Sequence, residues 1–522
     1  MTTGARALAV LRQLAETPFA DRLELAAFAG LPDRTVYRAA ARLLRDGLAA
    51  WVPHASPLLP LTRRYYPTPD GLRRLAFERG LALRDVLRDN PVTDGWQRAL
   101  LERLDGAAAI YRVAAWIGAE EGAMAFQWHR ALRLDASIAL PGERTLGILR
   151  IGHTADRTGT AKRFGALFRG PLPGALLVLM PDIVRLRHAQ RIMARAPVQV
   201  FLAVEADILR GGTVAEVWRP PVIAADLSLR YVLTHVRPGG ILPAEPRHRR
   251  ETMSGTVELP RAGPATPSHL LGILLSPQEK RALHLVFDWP WATTAQLAGM
   301  QGGGVRRERK LLRRLTGCGL VDRALVEETS RWVVTDRGLR WLAKRDRVMA
   351  SLLHGRWSAA IQESRGPYTW RNVVGRRTRQ LLRNLEHTDA VNGFMAKVAA
   401  DARSLGWGEL QLDPAFRASR YFQYEGRHHA IHPDAFGILA VGDELRPFFL
   451  EWERRAVRPL TMEERLAPYL RYYSTHRPMD DHGALPTLIV VLQEEVHVTH
   501  FQRLASKHQL RLPLLVLHET KG

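Results

Sequence analysis

The sequence has little of what several protein classes require. Cys318 is the only cysteine among 522 residues, which excludes an intramolecular disulfide and a zinc site built from several thiolates. The most apolar run, residues 174–180, is far shorter than the roughly 20 residues of a membrane-spanning helix. The glycines at 302–304 lack the Gly-Lys-Ser/Thr ending of an ATP-binding phosphate loop. We therefore expect a cytoplasmic protein that neither spans a membrane nor uses ATP.

Acidic residues are also in deficit. Lys and Arg number 75 against 52 Asp and Glu, which gives a formal net charge of +23. Such an excess attracts polyanions, so double-stranded DNA is the first candidate partner. A membrane partner is not expected, because no basic cluster flanks an apolar anchor. A basic surface without a partner is the alternative reading of the same numbers.

A repeat divides the chain into two units. The segment TPDGLRRLA from Thr68 recurs as TDRGLRWLA from Thr335. Upstream of both copies the hydrophobic periodicity predicts an amphipathic helix, a short helix and a basic helix, which is the order of elements in a winged helix.

The first basic helix is predicted to begin at Asp33 as its N-cap, with apolar positions turned inward and a wing of two strands over residues 49–67. Six residues are expected to contact DNA, four on the helix and two on the wing: Thr35, Tyr37, Arg38, Arg42, Arg63 and Arg64.

The second basic helix is predicted over residues 305–315, with six basic residues in nine positions. These residues are also expected to contact DNA, although a solvated helix face would have the same composition: Arg306, Arg307, Arg309, Lys310, Arg313 and Arg314.

Each winged helix is followed by alternating helix and strand patterns, which predict a mixed α/β sheet. In the second unit, Asp434 begins one strand and the next strand carries Glu451 and Glu453. Alternate residues of a strand share a face, so the three carboxylates are predicted to converge. Three hard oxygen donors suit Mg²⁺ or Mn²⁺, which activates water in nucleases.

The helix before this sheet carries Glu386 and His387, which are candidates for a fourth acid and a proton-transferring imidazole. The alternative is that Glu451 and Glu453 only form surface salt bridges with Arg446, Arg454 or Arg455.

The first unit lacks most of this set. Aligned by their strands, Asp135 matches Asp434, but Leu149 and Ile151 stand at the positions of the two glutamates. On the preceding helix, Asp105 and Gly106 match Glu386 and His387. We therefore expect the first site to be inert.

At these residues the sequence resembles the replication-relaxation family of plasmid and mobile-element proteins, over most of both halves. The resemblance lies in the Thr…Gly-Leu-Arg helix starts, residues 385–387, Pro433-Asp434 and residues 449–454. It implies winged helices joined to restriction-endonuclease-like cores with a PD-(D/E)xK motif, in which Glu453 replaces the usual Lys. Some relaxases of this fold are similar in having an acidic pair there.

These observations predict five regions: winged helix 1 (1–85), a degenerate nuclease-like α/β domain (95–236), a linker (237–267), winged helix 2 (268–350) and a nuclease-like α/β domain (375–522). The expected function is metal-dependent DNA nicking in plasmid or mobile-element replication or mobilisation, with other replication proteins as partners. A non-catalytic initiator or regulator that reads two half-sites, and an RNA-directed or defence nuclease, are the alternatives.

Overall fold

The structure, a computed structural model, describes residues 4–130, 133–222, 225–245, 252–361, 367–453, 459–507 and 512–519. The chain forms two compact units, the first made of residues 1–280 with 340–350 and the second of residues 281–339 with 351–522. None of the helices within the described ranges is both long and apolar enough to cross a membrane.

Up to residue 274 the elements are α1 (Ala5–Glu16), α2 (Arg22–Ala29), α3 (Asp33–Arg45), β1 (Ala49–His54), β2 (Thr62–Pro67), α4 (Pro69–Glu78), α5 (Leu83–Asp89), α6 (Asp94–Glu102), α7 (Leu104–Glu121), β3 (Ala125–Trp128), β4 (Ala136–Leu140), β5 (Arg144–Arg150), α8 (Arg157–Leu167), β6 (Ala175–Met180), α9 (Ile183–Met193), β7 (Gln199–Val204), α10 (Glu205–Gly211), α11 (Leu229–His235) and, after a 3₁₀ turn at Ser268–Leu270, α12 (Leu271–Leu274).

From residue 277 onward they are α13 (Pro277–Asp288), α14 (Thr294–Gln301), α15 (Val305–Gly317), β8 (Val321–Val326), β9 (Thr329–Val334), α16 (Asp336–Asp346), α17 (Ala350–Trp357), α18 (Arg376–Arg383), α19 (Leu385–Ser404), β10 (Gly408–Pro414), α20 (Ala415–Ala418), β11 (Arg420–Tyr424), β12 (Arg427–Ile431), β13 (Ala435–Val441), β14 (Glu444–Glu453), α21 (Pro459–Tyr473), α22 (Arg477–His482), β15 (Thr487–Leu492), α23 (Glu495–Lys507) and β16 (Leu514–His518).

Both winged helices have the predicted order, three helices and a two-stranded wing, β1–β2 in one and β8–β9 in the other. The turn after the first helix is the same in both copies: Phe19 and Trp291 each have φ of 69°. Their carbonyl oxygens accept hydrogen bonds from the guanidinium groups of Arg64 and Arg331, each at 3.0 Å. The repeat seen in the sequence therefore extends to individual backbone contacts.

The predicted N-cap of α3 is wrong by one residue. Pro32 occupies the N-cap and Asp33 is the first helical residue. There its carboxylate lies near the positive end of the helix dipole, which explains why an acidic residue suits the position without capping.

The two five-stranded sheets have one topology. The strand orders are β3-β4-β5-β6-β7 and β10-β13-β14-β15-β16, and in both the first three strands are antiparallel and the last three parallel. The second unit also has the hairpin β11–β12, which lies between β10 and β13 in the chain and forms a two-stranded sheet of its own. The prediction of a duplicated mixed α/β fold is confirmed.

Some predicted boundaries were wrong because continuous patterns hid breaks. The sequence pattern predicts a single strand over residues 428–439, but the structure has two strands there, separated by residues 432–434. The pattern also predicts continuous helices across residues 100–110 and 381–391. Both are interrupted, at Arg103 and at Asn384, whose φ values of −119° and −113° leave the helical range. The second break sets the direction of α19, which carries Glu386 and His387.

The predicted linker, residues 237–267, packs against the first unit in its described parts. Glu245 accepts a hydrogen bond from the backbone N–H of Arg130 at 3.0 Å, and Tyr66 accepts one from the backbone N–H of Val257 at 2.9 Å. Residues 246–251 lie outside the described residues.

One residue on the inward face of α15 is unusual. Glu308 is only 1% exposed, on the face of α15 that also buries Leu312 and Leu315, and its Oε1 has no hydrogen-bond partner within the described part of the chain. The inward face of α3 carries Val36 instead. Burial raises the pKa of Glu308 to about 7, against an ordinary value of 4.5.

We predict that Glu308→Gln stabilises the protein more at pH 8 than at pH 5. The folded-state pKa lies above the unfolded one, so the folded state is stabilised by the proton at low pH and loses that stability as pH rises through about 7. Urea unfolding at both pH values should give a difference on the order of 1–3 kcal/mol. Glu444→Gln, at an exposed position, is the control and should have no comparable effect; an equal effect of Glu308→Gln at both pH values contradicts the assignment.

Candidate active site

The aspartate of the predicted motif is held by the neighbouring strand. Asp434 immediately precedes β13, and its backbone N–H donates to the carbonyl of Leu450 at 2.9 Å. Its Oδ2 accepts a hydrogen bond from the backbone N–H of Trp452 at 2.8 Å. These two contacts fix the carboxylate beside the carboxyl end of β14, where Glu451 lies.

His387 reaches the same carboxylate from α19. Its Nε2 lies 2.9 Å from Oδ1 of Asp434, and its side chain is 35% exposed. Glu386 lies in the first turn of α19 with an exposed side chain. The structure therefore brings His387 together with Asp434. The separation of these residues in the sequence does not by itself predict this contact.

The two glutamates of β14 contact α21. Tyr469 donates a hydrogen bond to Oε1 of Glu451, and Arg465 forms an ion pair with Glu453. These four side chains, together with apolar side chains of β15 and α23, line a cavity of about 40 Å³. Sequence reasoning missed Tyr469 and Arg465, and no local pattern marks them, because their partners lie on a strand that precedes α21 in the chain.

Glu453 does form a salt bridge, as the alternative interpretation expects, and its partner in the structure is Arg465. Arg446 pairs with Glu444 at 3.2 Å, whereas Arg454 and Arg455 lie outside the described residues. Glu451 has a phenol rather than a guanidinium as its hydrogen-bond partner.

The pKa of Glu451 is shifted by its surroundings, which include Asp434. Burial, and secondly the negative charge of Asp434, raise the pKa of Glu451 to about 8. A divalent cation stabilises the ionised form of a carboxyl group that lies beside another carboxylate, and oxygen donors are what Mg²⁺ and Mn²⁺ prefer. The donor chemistry of Asp434 and Glu451 thus fits such an ion. Among the described residues, no group of three or more His, Cys, Asp or Glu side chains is arranged as a ready-made metal site.

The first unit contains the same backbone arrangement. The N–H of Asp135 donates to the carbonyl of Ile148 at 2.9 Å, and its Oδ2 accepts from the N–H of Arg150 at 2.7 Å. Arg150 thus corresponds to Trp452, which assigns Leu149 and Ile151 to the positions of Glu451 and Glu453. Both are buried in an apolar core.

The aspartate of the first unit is surrounded by arginines. Arg163 and Arg347 contact the two oxygens of Asp135 at 2.9 and 2.5 Å. Burial alone would raise the pKa of Asp135, but these two charges hold it well below its ordinary value. The negative charge is therefore already compensated by protein cations, which removes the attraction for a metal ion.

In the first unit, the positions that match Glu386 and His387 are also occupied by other contacts. A Cβ at Gly106 would lie 3.0 Å from the Arg150 side chain, which fills the place that His387 has in the other unit. Asp105 contacts Lys280 at 2.6 Å and His54 at 2.8 Å. These contacts tie the first unit together as a buried ion-pair network.

The basic helices present their predicted residues differently. All six basic residues of α15 are exposed. On α3, Tyr37 and Arg38 are exposed, while Thr35 and Arg42 are partly buried. On the wing, the guanidinium of Arg63 lies 4.5 Å from the centre of the Trp51 ring.

The prediction that Arg64 contacts DNA is wrong. Its side chain is 1% exposed and forms an ion pair with Glu24 at 2.9 Å. The same side chain donates to the carbonyl of Phe19, so it holds the winged helix together from inside. The sequence RRYY suggests a basic surface with both arginines outward. Side chains alternate along a strand, however, so only one of the two arginines points outward.

Comparison with known proteins finds a family similarity in the second half of the chain. Residues 283–488 match the model of the replication-relaxation family, a range that starts in α13 and ends in β15. The match thus includes most of the second winged helix together with His387, Asp434, Glu451 and Glu453, and it does not extend to the first half. No curated protein and no solved structure matches the chain significantly. Residues 283–488 are therefore similar to the replication-relaxation family.

Proposed function

We propose that this protein is a DNA-binding nicking enzyme that uses Mg²⁺ or Mn²⁺ and acts in the replication or mobilisation of a plasmid or mobile element. The family match supports the replication theme. The observation that carries the catalytic part is the contrast between the units: Asp434 adjoins His387 and Glu451, whereas arginines neutralise Asp135.

Each residue of the site has a distinct task in this proposal. Asp434 and Glu451 would hold the cation, with Glu453 as the third carboxylate. The bound ion would supply a polarised water and stabilise negative charge on the phosphate. His387 orients Asp434 through its Nε2 and is exposed enough to exchange a proton with solvent or substrate.

Tyr469 and Arg465 hold the glutamates in place. Tyr469 donates to Oε1 of Glu451, so this hydrogen bond does not involve the other carboxyl oxygen, Oε2. Arg465 is 59% exposed, so its partner Glu453 is paired with a side chain that solvent reaches. A single site of this kind in a two-unit chain suits cutting of one strand better than a double-strand break.

We predict that the protein converts supercoiled plasmid to open circles with Mn²⁺, and that Glu451→Gln slows this reaction at least about 100-fold, as expected for loss of a ligand that supports metal-assisted hydrolysis. Gel electrophoresis of the plasmid forms over time measures the rate. Glu444→Gln makes the same change on an exposed residue of the same strand and should leave the rate unchanged. Nicking by Glu451→Gln at the normal rate removes this site from the mechanism.

A non-catalytic initiator is the second candidate. The observation that favours it is that Tyr469 and Arg465 already provide Glu451 and Glu453 with protein partners. In that case DNA binding persists in EDTA and in Glu451→Gln, and no metal produces strand breaks.

Both candidates require DNA contacts by α15. We predict that Arg309→Gln, Lys310→Gln and Arg313→Gln together reduce affinity for duplex DNA about tenfold or more, because each exposed cation lost removes phosphate contacts or base contacts. Fluorescence anisotropy at several salt concentrations measures the affinity and its salt dependence.

A control triple removes the same charge elsewhere: Arg73→Gln, Arg98→Gln and Arg210→Gln. These arginines are exposed and paired with Asp70, Asp94 and Asp207 within their own helices. The control triple should bind DNA nearly as the wild type does. Equal losses in both triples would show that net charge, and not α15, determines the affinity.

A further inference from the structure

A second group of exposed cations lies outside the winged helices. It comprises Arg371, Arg376, Arg377 and Arg383 together with Trp370, all exposed, and is called the arginine patch below. Three of the arginines belong to α18, whose sequence RRTRQLLR contains four arginines and no acid. Nothing in the winged-helix pattern accounts for it.

The patch is ordered by its tryptophan. The ring of Trp370 is 39% exposed, and the Cζ atoms of Arg371 and Arg383 lie 5.2 and 5.3 Å from its centre. Such cation–π contacts hold the guanidinium groups in place and leave their N–H donors available. Within the described ranges, none of the four patch arginines forms an ion pair with a carboxylate.

Architecture does not explain these charges. The equivalent helix of the first unit, α6, likewise precedes the long helix of its α/β domain, but its sequence is DGWQRALLE. Its one arginine, Arg98, pairs with Asp94 at 3.0 Å, and Glu102 pairs with Lys344 at 2.6 Å. The same fold is therefore built there with acids and paired cations.

Arg379 is the exception on α18, because it has a structural role. Its guanidinium donates to the carbonyls of Val373 and Val374 at 2.9 and 3.3 Å. Within the part of the chain that the structure describes, the patch arginines have no comparable set of backbone contacts.

The patch is next to the candidate active site along the chain. Asn384 breaks the helix after Arg383, and α19 then brings His387 to 2.9 Å from Asp434. Only Asn384, Leu385 and Glu386 separate Arg383 from His387. A polyanion bound at Arg383 is therefore held four residues along the chain from His387, which contacts the carboxylate of Asp434.

We propose that the arginine patch binds the phosphate backbone of the DNA beside the site of cleavage, as a contact surface separate from α15. Guanidinium groups donate two parallel hydrogen bonds to phosphate, and four of them on one short segment match the repeated charge of a DNA backbone. The proposal rests on the proposed function, since the DNA it names is the substrate of the Asp434 site.

The test is DNA binding by Arg376→Gln, Arg377→Gln and Arg383→Gln together, with Arg379 retained. Affinity for a fluorescent duplex is measured in EDTA over a range of salt concentrations. We expect at least about a tenfold loss, and a salt slope smaller by about 2–3, since each lost phosphate contact removes close to one released counterion. The control triple of Arg73, Arg98 and Arg210 should change neither quantity appreciably.

An unchanged affinity and slope, or an equal loss in the control triple, overturns the proposal; in the first case an acidic protein is the better occupant of the patch. Should the triple variant unfold in a thermal melt, Arg376→Gln with Arg377→Gln leaves the contacts of Trp370 intact and is expected to lose at least about threefold in affinity.

The two proposals fail separately. Wild-type protein that never nicks but needs the patch to bind DNA contradicts catalysis alone, whereas Glu451-dependent nicking with patch-independent binding contradicts the patch alone.

Discussion

An aspartate anchored to the backbone of the next strand recurs in both α/β domains, and the two units differ in how its charge is compensated. The backbone N–H groups of Trp452 and Arg150 hold Asp434 and Asp135 in the same way. A carboxylate in so restricted a place needs positive charge nearby, because burial disfavours its ionised form. In the first unit arginines provide that charge. In the second unit His387 adjoins the aspartate, and burial together with the charge of Asp434 raises the pKa of the neighbouring Glu451 to about 8.

Because of this difference, the corresponding positions have different surroundings in the two units. In the first unit, Arg150, Arg163 and Arg347 convert the position of the site into a buried ion-pair network, which serves the stability of the domain. Breaking such a network at one residue leaves another buried charge unpaired, which is strongly destabilising. In the second unit the acidic pair, His387 and the basic surfaces of α15 and α18 all lie within residues 283–488, the range similar to the replication-relaxation family. Both DNA-contact surfaces proposed for that unit are therefore parts of the domain that holds the carboxylates.

The sequence predicted those features that follow from regular periodicity. The order of the helices in both winged helices and the first wing, residues 49–67, could be predicted because apolar residues recur at helical or strand spacing. Alignment of the strands also placed Leu149 correctly at the position of Glu451. Periodicity failed where it continues across a break, as at Asn384, and where a run contains two strands, as in the hairpin β11–β12. It also misassigned Arg64, because burial of a charge depends on a distant partner, Glu24. Tyr469 was unpredictable for the same reason: its contact with Glu451 exists only once α21 lies across the sheet.

The central claim is that the second unit, and not the first, attracts a divalent cation. Titration of the protein with Mn²⁺, followed by electron paramagnetic resonance of the free ion, measures the number of sites per chain. The account predicts one site, which Asp434→Asn abolishes while the protein remains folded. No tight site in the wild type, two sites per chain, or one site that survives Asp434→Asn would contradict it.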